Sequence, residues 1–159
     1  MVAKVKSASA ARLELDSEFI ICARSDARSV VGLDMTISRC QYYIDAGASM
    51  VFPEGLKTLQ EFEKVAAKLR NHQPQILLLA NMTEFGVSEL VNFKDLQGIG
   101  YNCVIYPVST LRIALKAVDL FLADLNRSGI QSTDGMLTRS ELYAQILNYN
   151  PDDEWKYKK

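Results

Sequence analysis

Seven polar residues whose types could do chemistry stand where apolar runs stop. Arg24, Ser25 and Asp26 close the run FIICA (19–23), Glu54 follows MVFP (50–53), and Asn81, Thr83 and Glu84 follow ILLLA (76–80). A buried parallel strand reads as such a continuous apolar run, and in parallel α/β sheets ligands gather at the carboxyl ends of strands. Polar groups placed there are costly to desolvate without partners. Arg24 presents a planar fork suited to one carboxylate or phosphate. Asn81 and Thr83, two apart on an extended segment, put donors on one side and could hold a second anionic group. Glu54 suits a hydrated divalent cation such as magnesium, which keeps several waters and takes few carboxylates. Structural alternatives stand beside these roles. Arg24 and Asp26 could be an ion pair capping a strand, Glu54 the counter-ion of Arg24, and Glu84 a purely structural carboxylate. The set as a whole points to a site for a di- or tricarboxylate with magnesium.

Such a site needs elements that bring the strand ends together. Residues 1–17 read as a helix, with Val2, Val5, Ala8 and Ala11 at helical spacing and Asp16–Ser17 beyond its end. Strands are expected at 19–24, 50–54, 76–80 and 103–106. Between them lie a loop at 29–33, a helix from Asp34 to Ala46 closed by Gly47, a helix opened by Thr58, and a short helix at 92–97. Thr58 and Glu61 have the spacing of a capping box, and Phe62, Val65, Ala66 and Leu69 form an apolar face. Ser109 is expected to cap a long helix to about Asn126, with Ile113, Ala117, Leu120 and Phe121 on one face. The strand ends at 24, 54, 81 and 107 are 26 to 30 residues apart, an internal repeat of βα units. Strands alternating with helices imply parallel strands with right-handed crossovers. An open doubly wound sheet and half of a (β/α)8 barrel both fit. No glycine-rich phosphate loop follows any strand, which weakens the nucleotide-binding open sheet. Thr138 and Glu141 repeat the capping-box spacing before a helix over 141–147. The charged end, 152–159, reads as frayed apart from Trp155 and Tyr157.

Composition bounds the rest. The 159 residues are 48% hydrophobic, enough for one sizeable core, and the formal charge of −1 leaves no electrostatic footprint for nucleic acid. No apolar run approaches the roughly 18 residues of a membrane span, and the first residues lack a secretory h-region, so a cytoplasmic protein is expected. Three cysteines (Cys22, Cys40, Cys103) and one histidine, in a loop at His72, argue against zinc and disulfide frameworks; the cysteines read as packing residues.

The letters themselves carry a further signal. ICARSDA with VVGLD, then VFPEGL, LLANMTEFG, VIYPVSTLR and MLTRSELYAQILNY run in order over residues 19–149. They resemble the motifs of the isocitrate lyase and phosphoenolpyruvate mutase superfamily, nearest its 2-methylisocitrate lyase branch. The resemblance implies a magnesium-dependent carbon–carbon lyase that cleaves 2-methylisocitrate into pyruvate and succinate in the methylcitrate cycle of propionate breakdown. It assigns Arg24 to the carboxylate of the keto-acid half, Asn81 and Thr83 to the succinate half, and Glu54 to the water shell of magnesium. Departures are Ser25 where threonine is usual, Gly55 where alanine is usual, and a longer stretch at Leu69–Gln75.

One departure is large. The family's barrel has eight strands, and this chain matches the last four and the tail. The aspartates nearest magnesium and the Cys-Gly-His loop with the catalytic cysteine lie upstream in the family and have no counterpart here. The chain therefore reads as a partial (β/α)8 TIM barrel forming one domain over 1–159, without a catalytic residue of its own. It holds four βα units (19–127) and a helix (138–149) whose equivalent in the family crosses to a neighbouring subunit. The implied partners are a small di- or tricarboxylate and either further copies, a tetramer in the family, or an upstream half-barrel. Neither nucleic acid nor membrane is implied. Oxaloacetate hydrolase and phosphonopyruvate mutase chemistries stay open, because the discriminating loop lies in the missing half. So does a non-catalytic remnant that acts as an assembly module.

Overall fold

The structure, a computed structural model, describes residues 1–15, 18–150 and 152–153. Asp16–Ser17, Trp155 and Tyr157, read from sequence as a helix end and parts of the tail, lie outside the described residues. The chain divides into two compact units, Met1–Arg112 and a second that begins at Ile113.

The first unit runs α1 (Val2–Glu14), β1 (Cys22–Ser25), α2 (Arg28–Asp45), β2 (Met50–Pro53), α3 (Leu59–His72), β3 (Leu77–Asn81), α4 (Phe93–Gly98) and β4 (Cys103–Ile105), and reaches the start of α5 (Ser109–Ser128). The four strands are all parallel and lie side by side in sequence order, β1-β2-β3-β4. Strand order equal to chain order is what short crossovers of one hand produce.

Burial alternates along β1 and β3, whereas Val51, Phe52 and Pro53 of β2 are all buried. Ala23 and Ser25, Val51, Leu78 and Ala80 are buried on one face of the sheet. They join one core with Ile37, Cys40 and Ile44 of α2 and Phe62, Val65 and Leu69 of α3. Cys22 and Arg24 are exposed, so the other face is covered less completely. The β1 run, which reads as buried on both sides, is therefore buried on one, while β2 is buried on both, with Phe52 only 7% exposed. The cysteines differ accordingly. Cys40 is fully buried and its thiol is pushed up to about 12 by burial. Cys22, expected to pack, is exposed.

Several local expectations are corrected. The segment read as a loop at 29–33 is mostly helical: α2 starts at Arg28 and is broken at Gly32, whose φ is 81°. Phe19 and Ile20 precede the strand and are exposed. His72 is the last residue of α3 rather than a loop residue, and its Nε2 meets Asp45 Oδ1 at 2.7 Å. At Thr58 only half of the capping box forms. The Glu61 N–H donates to Thr58 Oγ1 at 3.4 Å, but the Glu61 carboxylate accepts from the Lys57 N–H at 2.9 Å and pairs with Arg28. Ser109 is the first residue of α5 rather than the residue before it, and its hydroxyl donates to Glu84.

In the second unit, α5 continues to Ser128, and α6 (Arg139–Glu141) passes into a π-helical turn (Leu142–Ile146). The Thr138–Glu141 capping box is complete in both directions. The expected apolar face of α5 is present but not buried: Ile113 is 71% and Leu120 58% exposed. Among the described residues, no helix is long and apolar enough to cross a membrane.

Candidate carboxylate-binding site

Arg24, Glu54 and Asn81 are placed by the ends of three adjacent strands. Arg24 sits in β1 opposite Phe52, one position before the Ser25–Pro53 pair that ends the ladder. Pro53 has no N–H to donate, so β2 stops there, and the Glu54 N–H turns to Ser25 O at 2.9 Å. That bond ties Glu54 to the tip of β1. Asn81 ends β3 beside Ile105, and the chain stays extended because the Met82 N–H donates to Ile105 O at 2.9 Å. Met82 is buried while Asn81 and Thr83 are half-buried, so the alternation puts these two on one side.

The side chains join into a relay across the strand ends. Arg24 Nε donates to both oxygens of Asp26 at 3.1 Å, and Nη2 donates to Oδ1 at 2.7 Å. On its other side Arg24 Nη2 lies 3.6 Å from Glu54 Oε2. Asn81 Nδ2 donates to that same oxygen at 3.3 Å. The Arg24 guanidinium carbon rests 4.8 Å from the centre of the Phe52 ring. The bond to Asp26 raises the Arg24 pKa and lowers that of Asp26, so both stay charged through the neutral range. Asn81 Oδ1 is buried without a hydrogen-bond partner. A buried acceptor left unpaired costs free energy that a bound donor would recover.

The sequence-derived residues thus divide. Arg24, Asp26, Glu54 and Asn81 are brought together, and Thr83 lies two residues beyond Asn81 on the same side. Ser25 is buried on the opposite face of β1. Glu84 belongs to a separate cluster: it accepts from Ser109 and lies 3.8 Å from Arg112 Nε.

Two contributors escaped the sequence reading. Phe52 looked like one more apolar strand residue, yet its position two before Glu54 matches that of Arg24 two before Asp26. The Arg28–Glu61 pair, with Nε to Oε2 at 3.0 Å, ties the start of α2 to the start of α3 beneath the relay. Nothing local signals it, because the partners are 33 residues apart.

Magnesium has weaker support in these residues. Among the described residues, no three His, Cys, Asp or Glu side chains could together hold a metal ion. Glu54, the carboxylate between β2 and β3, already faces Arg24 and Asn81. Magnesium demands near-octahedral oxygen donors. The residues present do not fit the ion by themselves, and Glu54 can supply one contact through water.

Comparison with known proteins agrees with the architecture. Residues 1–125 match the family model described as phosphoenolpyruvate phosphomutase. A probable 2-methylisocitrate lyase 2 of Corynebacterium glutamicum is 49% identical over 137 residues, covering 85% of this chain and 43% of that protein. The 2-methylisocitrate lyase of Vibrio cholerae is 37% identical over 157 residues, covering 97% of this chain and 50% of that one. The crystal structure of 2,3-dimethylmalate lyase superposes with a TM-score of 0.83 at 26% identity, covering 98% of this chain and 52% of that chain. Oxaloacetate acetylhydrolase follows at 0.82, 26% identity, 96% and 51%. The chain spans about half the length of the relatives it matches, and its four parallel strands are a partial barrel of their type.

Proposed function

This chain belongs to the phosphoenolpyruvate phosphomutase family, and from that premise we propose that it supplies the carboxylate-binding half of a lyase cleaving 2-methylisocitrate to pyruvate and succinate. The relay from Asp26 through Arg24 and Glu54 to Asn81 is the observation that carries the reading. It sets one cation and one neutral amide at the ends of β1 and β3, both turned toward Glu54 Oε2. In this proposal Arg24 takes the carboxylate of the keto-acid half, and Asn81 with Thr83 takes the succinate half. Magnesium is held chiefly by carboxylates of an upstream half-barrel, with Glu54 touching its water shell. The place in metabolism is propionate breakdown in the cytoplasm.

Assembly is part of the same proposal. β1 and β4 each have one neighbour in the sheet, leaving two edges that an eight-stranded barrel would pair. Leu142, Ile146 and Leu147 are 40%, 64% and 57% exposed and form a stripe suited to crossing to another copy in a homo-oligomer. The likeness to oxaloacetate acetylhydrolase favours one second reading, hydrolysis of a related keto-diacid at the same half-site.

Cleavage of a carbon–carbon bond also needs a base at the hydroxyl and an acid for the carbanion, each typically worth about 10²–10⁴ in rate. The relay contains neither in a free state. The test is to follow pyruvate from 2-methylisocitrate and magnesium with the purified chain, alone and with a separately expressed upstream half. Product is expected only with both halves and is lost with Arg24→Ala. Pyruvate from the chain alone, abolished by Arg24→Ala, overturns the half-site reading.

A further inference from the structure

The guanidinium of Arg24 has two edges that can each present a pair of parallel N–H groups to a carboxylate: the side edge, Nε with Nη2, and the end edge, Nη1 with Nη2. Asp26 fills the side edge with three contacts, two from Nε at 3.1 Å and one from Nη2 at 2.7 Å. Phe52 closes one flat face at 4.8 Å. Glu54 Oε2 stands 3.6 Å from Nη2, too far for a good hydrogen bond, and is the anion that an incoming carboxylate displaces there. Asn81 Nδ2 touches that same oxygen at 3.3 Å.

We infer that Asp26 is a positioning residue that occupies the side edge of Arg24, so an incoming carboxylate can engage only the end edge, between Arg24 and Asn81. This rests on the reading of Arg24 as a carboxylate binder and adds the direction of approach. Without Asp26 the guanidinium keeps its charge but regains rotation about its last two torsions, and a ligand can bind it side-on, away from Asn81. Asp26 thus makes the two half-sites act on one molecule instead of two. It also explains why a 64% exposed aspartate spends its hydrogen bonds on the group two residues back.

The probe is oxalate, which carries two carboxylates and no other group. Oxalate titrations by NMR compare the chain with Asp26→Asn, Asp26→Glu and Arg24→Lys, following the Arg24 Nε–H signal assigned by its loss in Arg24→Lys. In the wild-type chain that proton exchanges slowly with water and stays put on adding oxalate, while the Nη signals move. Asp26→Asn is expected to speed its exchange and to let the Nε–H signal shift on adding oxalate, because the side edge is then open. Asp26→Glu largely restores the slow exchange and the unmoved signal. An Nε–H signal that shifts on oxalate binding in the wild-type chain places the ligand on the side edge and overturns the inference. So does an Nε–H signal that still stays put on adding oxalate to Asp26→Asn when Arg24→Lys has lost binding. Unchanged affinity in Arg24→Lys overturns the carboxylate reading itself, a separate outcome.

Discussion

α3 carries Phe62, Val65, Ala66 and Leu69 on one face, and α5 carries Ile113, Ala117, Leu120 and Phe121 on one face of a helix of similar amphipathic character. In α3 the four residues are 2%, 0%, 2% and 0% exposed. On that face of α5, Ile113 is 71% and Leu120 58% exposed. An apolar stripe at helical spacing therefore states that a helix has a face to bury and leaves open what buries it. For α3 the partner is the strand set of its own unit, which joins it in one core. For α5 the face stays open among the described residues. Burying an aliphatic side chain is worth about 1.5–3 kcal/mol, so several exposed ones are a strong drive toward a second surface. That surface, in the proposal above, is another half-barrel or another copy.

The sharpest test of this difference is truncation on the two faces. Leu69→Ala removes a fully buried side chain and should destabilise the first unit by about 2–5 kcal/mol in urea unfolding. Leu120→Ala should change the same midpoint by no more than about 0.5 kcal/mol, as for an exposed site. Equal losses would mean that α5 is covered in solution. The complementary variant is Ile113→Glu with Leu120→Glu, which should leave the unfolding midpoint in place while suppressing concentration-dependent association in sedimentation velocity.

A second contrast uses two glycines that both have positive φ. Gly47, after α2, has φ of +105°, and a Cβ there would lie 2.3 Å from Ser9 Oγ of α1. Gly129, after α5, has φ of +73°, and a Cβ there would meet nothing within 4 Å. Gly47→Ala adds a steric conflict to left-handed strain and should cost about 1–3 kcal/mol, part of it recovered by Ser9→Gly. Gly129→Ala carries only the strain, about 1 kcal/mol. If both cost the same and Ser9→Gly rescues nothing, α1 is not seated against Gly47.

How much of this was legible follows from where each signal resides. Three strand ends were readable because the apolar run stops at a charged or amide residue within one or two positions, the fourth because Pro107 interrupts its run, and parallel order follows from βα alternation. The Thr138–Glu141 capping box was readable because both partners lie within three residues. The Thr58–Glu61 box has the same letters and forms only by half. There Arg28, far away in sequence, draws the Glu61 carboxylate. The turn at 29–33 was misjudged because Gly32 does break the helix, but only after one turn from Arg28 has formed. Phe52 beneath Arg24 needed the β1–β2 register, which strand ends imply only once they are aligned. The occupant of the α5 face is not written in the chain at all, since a stripe has no address.

The smallest expected effect separates the two glutamates of those boxes by pH. Glu61 sits in the first unit, and its pKa is lowered mainly by the hydrogen bond from Arg28. Glu141 sits in the second, lowered by Thr138 within its own helix start. Take Glu61 first. Its folded pKa lies below its ordinary 4.5, so above that value it is ionised in both states and its full stabilisation is present. As pH falls below 4.5 the unfolded chain takes up the proton first, and the contribution fades until the folded carboxyl also protonates. Glu61→Gln can still accept from the Lys57 N–H but cannot titrate. It should lower the midpoint at neutral pH and flatten the loss of first-unit stability on acidification below 4.5. Glu141 has the same sign of shift but is bonded only to Thr138 within its own helix start, so Glu141→Gln should leave that acid slope unchanged. The two slopes come from urea midpoints read by near-ultraviolet circular dichroism at intervals between pH 3 and 7. An unchanged slope in Glu61→Gln would show that the bond from Arg28 does not hold the glutamate ionised. A flattened slope in Glu141→Gln would show that the two units unfold as one.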